Sequence, residues 1–196
     1  MMDLITGLAI QFWPMPTFII LVIIGFIINL FDRKTANIGF SYKDYPHLKP
    51  IRIPTKGKGF WGAIILWFFG TRHWEVVKDF HYKFSGTDFV IPKGFKFDGA
   101  SVPKFLAQFL SPVGVLLIGG LIHDYGYKYE TLLKKDGTTI DKRSQRWMDA
   151  VFRDINIEVN GFYFLNYLAY WALRVGGWVA WKKHRKVNAQ IIDNKK

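Results

Sequence analysis

One imidazole, two carboxylates and one phenol lie at spacings that can do acid–base chemistry. His123, Asp124 and Tyr127 form a His-Asp-x-x-Tyr segment directly after an apolar run, Gly114–Ile122 (GVLLIGGLI). On a helix His123 and Tyr127 share a face, with Asp124 one residue round. Asp149 lies in a second apolar stretch, Trp147–Phe152 (WMDAVF). A carboxylate there can accept from one ring nitrogen of His123 and leave the other as a base. The same residues also suit a purely structural part. His123 would then cap a core with Asp124 at the surface, and Asp149 would face solvent or pair with Arg146 or Arg153. Both readings stay open at this level.

Other chemistries are excluded by composition. The chain has no cysteine, so thiol nucleophiles, thiolate zinc sites, iron–sulfur clusters and disulfides are ruled out. His47, His73, His81 and His184 show no H-x-x-x-H spacing, which argues against a histidine zinc site. No Walker-type, GxGxxG or EF-hand loop is present.

The elements that must position these residues read as α+β. Between about residues 75 and 98, Val77, Phe80, Tyr82, Phe84, Phe89 and Ile91 recur at a spacing near two, with Ser85-Gly86 and Pro92-Lys93-Gly94 as turns. That predicts a small antiparallel sheet. Helices are predicted over Pro103–Leu110, Val113–Glu130, Asp141–Ile155 and Phe162–Lys186. Met148, Val151, Phe152 and Ile155 make the clearest helical stripe. The last helix is aromatic and ends in Lys182, Lys183, His184, Arg185 and Lys186. Its first half suits a core. Its end, with Trp178, Trp181, Lys182, Lys183 and Arg185, suits a membrane surface. Phe60–Phe69 (FWGAIILWFF) fits a core helix or an interfacial one equally well.

From Leu4 to Phe31 the chain carries no charge, and Thr17–Phe31 is almost wholly aliphatic and aromatic. About 20 apolar residues span a bilayer, so residues 1–31 are expected to form a transmembrane anchor that is not cleaved. Residues 32–59, rich in Lys, Pro and Gly, read as a linker or extended segment, and 60–196 as the body. All 27 basic residues follow Phe31, against 15 acidic residues in the chain, for a net charge of +12. The positive-inside tendency puts the body on the cytoplasmic side of a single-pass protein, in a host inner membrane or a virion membrane. The charge also suits anionic headgroups of a lipid bilayer. Nucleic acid ranks last as a partner, since no recognised binding module is present.

FVIPKGFKFDGASVPKF (Phe89–Phe105), IHDYGY (Ile122–Tyr127) and WMDAVF together resemble a family of small proteins of unknown function from bacteriophages and prophages. The resemblance spans about residues 75–180. It implies phage or host membrane proteins as partners. A more distant resemblance is to phospholipase A2-like domains of the cysteine-free, parvovirus capsid type, in which an H-D-x-x-Y helix precedes a helix carrying A-D-x-x-F. It implies that His123 activates water, that Asp124 ligates calcium, and that Tyr127 and Asp149 hold His123 in place. The calcium loop departs from the pattern, because Gly94, Asp98 and Gly99 are all that precede His123. Asp98 and Gly99 could give calcium a carboxylate and a carbonyl. They could equally form a turn, with Gly99 at positive φ, Ser101 as a cap and Pro103 in the first helical turn.

The expectation is therefore an α+β protein: an N-terminal transmembrane helix, a small antiparallel sheet and a helical half of three to four helices. Its function would be calcium-dependent lipid hydrolysis. The alternative is a non-enzymatic phage membrane or virion protein in which the motif is structural.

Overall fold

Alternation of apolar and polar residues builds the first sheet. In a computed structural model of the chain, the described residues are 19–20, 23–24, 27, 37–53, 55–69, 73–97 and 114–193. Strand β4 (Phe80–Phe84) buries Phe80 and Tyr82 and exposes His81 and Lys83. It pairs antiparallel with β5 (Thr87–Ile91), with Tyr82 opposite Phe89. Ser85 and Gly86 join the two strands with φ of 48° and 78°. Two positive φ values in a two-residue connection match the twist of the flanking strands, and glycine adopts such a value without strain. β1 (Ser41–Tyr42) pairs with the other side of β4, giving the order β1-β4-β5.

A second sheet has the order β2-β3-β6, from β2 (Leu48–Pro50), β3 (Trp74–Val76) and β6 (Lys96–Phe97), all antiparallel. The Lys- and Pro-rich stretch at 32–59 thus contributes an edge strand to each sheet. Pro50 stands opposite Trp74 on such an edge, where its missing N–H interrupts no interior ladder. Glu158 fastens this segment to the helices by accepting from the backbone N–H groups of Ile38 and Phe40, each at 3.0 Å.

The sheets are accompanied by α1 (Gly59–Phe69), α2 (Leu117–Tyr129), α3 (Gln145–Asn160) and α4 (Tyr163–Asp193). Ser144 starts α3 by accepting from the Trp147 N–H, a cap of about 1 kcal/mol. Gly161, at φ 67°, ends it. The stripe Met148, Val151, Phe152 and Ile155 is buried. A main cluster joins both sheets to α2 and α3, including Val76, Phe80, Ile91, Phe97, Leu121, Ile122 and Ile155. Leu116, Phe152, Ala169 and Leu173 form a smaller cluster under α4.

The transmembrane expectation is corrected. Among the described residues, no helix is long and apolar enough to cross a membrane. α1 is apolar but has 11 residues, about 16 Å of helix against a hydrocarbon core of about 30 Å. α4 has 31 residues but carries Arg174, Lys182, Lys183, Arg185 and Lys186. A single-pass protein with a cytoplasmic body is accordingly not supported. Most of residues 1–31 lie outside the described residues, as do the expected helix at 103–110 and both Asp98 and Gly99. Phe60, Trp61 and Ile65 of α1 are exposed, so that face is not core.

Candidate functional site

Three helices converge on one carboxylate. Asp149 of α3 is completely buried. Its Oδ1 faces His123 Nε2 at 3.0 Å and accepts from the Tyr127 hydroxyl at 2.5 Å, both from α2. Its Oδ2 accepts from Arg174 Nη1 of α4 at 2.7 Å. Small residues permit this approach. A side chain on Gly126 would overlap Met148 on α3, and one on Gly177 of α4 would crowd the Tyr127 hydroxyl. Gly119 likewise lies against Asn156, whose Oδ1 accepts from the Gly119 N–H at 3.2 Å.

Burial alone would raise the pKa of Asp149. The hydrogen bonds from His123 and Tyr127, the His123 charge and the Arg174 hydrogen bond outweigh it and hold the carboxyl below its ordinary value. Burial alone would lower that of His123, but Asp124 and Asp149 overcome it and the net shift is upward. Burial and the Asp149 charge push the Tyr127 phenol upward, so it stays a donor. Arg174 is raised chiefly by its bond to Asp149.

His123 itself is 2% exposed, with its ring against Tyr127 and edge-on to Phe152. Its Nδ1 lies 3.6 Å from Asp124 Oδ1. Asp124 is half-buried and borders a recess of about 240 Å³, with His73, Phe95, Lys96, Phe97, Tyr127, Lys128, Ala180, Lys183 and His184 around it. Among the described residues Asp124 is the one carboxylate on that wall. Calcium takes six to eight oxygen ligands. Among the described residues no group of three or more His, Asp or Glu could hold a metal ion, and three lysines border the recess. Asp98 and Gly99, the other two residues expected to ligate calcium, lie outside the described residues.

The structure thus brings His123, Tyr127 and Asp149 into one cluster with Asp124 beside it. Arg146 is exposed, and Arg153 pairs with Asp154 at 2.7 Å rather than with Asp149. Arg174 was not singled out in the sequence, although it is the only charge between Tyr163 and Trp181. The five residues assigned to a membrane surface separate. Trp181 packs edge-on against Tyr127, with centroids 5.1 Å apart. Arg185 donates to the carbonyls of Tyr127 at 2.5 Å and Lys128 at 3.0 Å and pairs with Glu130 at 2.6 Å, closing the C-terminal end of α2. Trp178 is 50% exposed with Lys182 Nζ 5.1 Å above its ring, while Lys183 borders the recess. Trp171, Val175 and Val179 extend the exposed apolar face of Trp178 along α4.

Comparison with known families gives one match, to a family described as proteins of unknown function (DUF1353), over residues 74–173, just over half the chain. The chain belongs to the DUF1353 family. No curated protein and no solved structure matches it. The DUF1353 segment runs from the start of β3 into α4. It contains His123, Asp124, Tyr127 and Asp149 and ends one residue short of Arg174. Membership carries no assignment of activity, so neither hydrolysis nor a phage origin follows from it.

Proposed function

We propose that this DUF1353 protein hydrolyses an ester, of the phospholipase A2-like lipid class, with His123 as general base. One observation carries the reading. Asp149, held by Tyr127 and Arg174, takes the Nε2 side of His123 and leaves Nδ1 turned towards Asp124 at a recess. In the neutral ring Nδ1 takes a proton from a water admitted on its Asp124 side. The resulting hydroxide adds to the ester carbonyl. The imidazolium, balanced by Asp149, returns its proton to the alkoxide as the carbon–oxygen bond breaks, giving an acid and an alcohol. Tyr127, Asp149 and Arg174 act through His123 as positioning residues. No step is routed through calcium. The exposed Trp171, Val175, Trp178 and Val179 beside Lys182 suit a lipid aggregate with anionic headgroups as the substrate surface.

The test is fatty-acid release from phospholipid vesicles by purified protein, with and without calcium, for the native chain, His123→Ala and His123→Gln. Loss of base catalysis is expected to lower turnover by about 10²–10⁴. No release by the native chain, or equal release by a folded His123 variant, overturns the reading.

A second reading is favoured by the burial of His123 and its raised pKa. An imidazolium held between two carboxylates and a guanidinium would then lock α2, α3 and α4 together without catalysis.

A further inference from the structure

The recess at Asp124 has the wrong sign of charge for a cation and the right one for an anion. Lys96 comes from β6, Lys128 from the last turn of α2 and Lys183 from the second half of α4. Here three separate elements each send a lysine to the same hollow of about 240 Å³. None of the three is in an ion pair with a described carboxylate. The glutamate nearest in sequence to Lys128, Glu130, is already engaged by Lys142 and Arg185. Lys128 is fixed in position, with Nζ 5.4 Å from the Phe95 ring centroid and 5.5 Å from that of Tyr129. The single negative group among the described residues, Asp124, faces His123 across 3.6 Å, so its charge is partly answered from behind. Phe95 and Phe97 supply an apolar wall beside the lysines.

We infer that this recess binds a phosphate group, held by Lys96, Lys128 and Lys183, with the organic part of the ligand along Phe95 and Phe97. Lys96 and Lys183 are exposed and Lys128 is half-buried, and ammonium groups gathered at one hollow bind phosphate through charge-assisted hydrogen bonds. As the seat of a hydrolytic substrate the recess rests on the proposed His123 chemistry, and it narrows that substrate to a phosphate-bearing ester. The phosphate could belong to a lipid headgroup or to a soluble phosphoester.

The experiment is a binding titration on the full chain in two arms. One arm uses inorganic phosphate and glycerol 3-phosphate, followed by calorimetry and phosphorus resonance broadening. The other uses phosphatidylglycerol vesicles beside vesicles of a phosphate-free neutral glycolipid. The double variant Lys96→Gln/Lys183→Gln is expected to weaken phosphate binding by about tenfold or more, as loss of two charge-assisted hydrogen bonds implies. Lys83→Gln, exposed on β4 and outside the lining of the recess, is expected to change it by less than about twofold. Saturable binding of the soluble phosphates assigns free phosphoesters, and binding confined to phosphatidylglycerol assigns headgroups. No saturable binding in either arm, equal binding by the double variant, or binding that appears only with added calcium overturns the inference. His123→Ala separates the two proposals. Retained phosphate binding without hydrolysis by any form removes the hydrolase and leaves the recess. Hydrolysis without lysine-dependent binding removes the recess and leaves the hydrolase.

Discussion

Asp149 and Asp124 flank one imidazole and have opposite surroundings. Asp149 is fully buried and met by a histidine, a phenol and a guanidinium from two other helices. Asp124 is half-buried at a recess bordered by lysines, with the ring nitrogen at 3.6 Å, beyond hydrogen-bond length. A fully satisfied internal carboxylate fixes geometry, whereas one at a recess can respond to what enters. On this comparison Asp149 carries the stability of the helical half, and Asp124 borders the recess.

The sharpest way to break the comparison is to remove each carboxylate in turn. Asp149→Ala would leave His123, Tyr127 and Arg174 facing one another without an acceptor, and removing one partner of a buried ion pair costs about 3–5 kcal/mol. Asp124→Ala removes one charge facing the His123 ring and leaves the bonds of Asp149 intact, so it is expected to cost less than Asp149→Ala. Urea denaturation of the two variants measures the difference. Equal losses would show that the two carboxylates do the same structural work.

A smaller effect tests whether the helices really meet at Tyr127. Gly176 and Gly177 are adjacent in α4 and identical in type. A side chain at Gly176 meets nothing within 4 Å, whereas one at Gly177 presses on the Tyr127 hydroxyl and nears Gln145 Nε2 at 3.2 Å. Gly177→Ala is expected to destabilise by about 1–3 kcal/mol through overpacking. Gly176→Ala is expected to stabilise by up to about 1 kcal/mol through helix propensity. Thermal unfolding of the pair gives the answer, and shifts of the same sign would place the α2–α4 contact elsewhere.

That pair also marks where the sequence stops being legible. His123, Tyr127 and Asp149 could be named because a four-residue spacing and a carboxylate within an apolar stripe are local patterns. The alternation through Phe80, Tyr82, Phe89 and Ile91 is local too, and it gave the hairpin of β4 and β5. Arg174 was the only charge in a long aromatic stretch, yet its partner depends on which turn of α4 crosses α3. Trp178 and Trp181 are one turn apart and alike in type, but one is exposed under Lys182 and the other packs on Tyr127. Composition cannot divide them. β1 has two residues and β2 three, too few for a period to register, so a Lys- and Pro-rich stretch concealed two edge strands. The membrane expectation came from composition as well. It was placed on residues 1–31, most of which lie outside the described residues, and of the described helices neither α1 nor α4 combines length with uncharged turns.

The smallest expected effect is in the pH dependence, and it joins the two carboxylates through His123. An unfolded histidine releases its proton near pH 6.5. In the folded chain Asp124 and Asp149 raise that value against the opposing effect of burial. A raised pKa means the folded state holds the proton more tightly. Its contribution is therefore complete below about pH 6.5 and is lost as pH rises through the folded value. Asp149 behaves oppositely. Its lowered pKa gives stability present above the unfolded value near 3.9 and lost as pH falls through the folded one. Unfolding midpoints measured from pH 5 to 9 should accordingly decline on the alkaline side, with the histidine ring resonances titrating over the same interval. Asp124→Asn removes one of the two groups that raise His123, so its decline should be smaller and should end at lower pH. Base catalysis needs the neutral ring, so hydrolysis should increase across the interval in which stability falls. A midpoint that stays flat from pH 6 to 9 would mean that His123 does not carry the charge assigned to it, and Asp124 would then be no more than a neighbour of the ring.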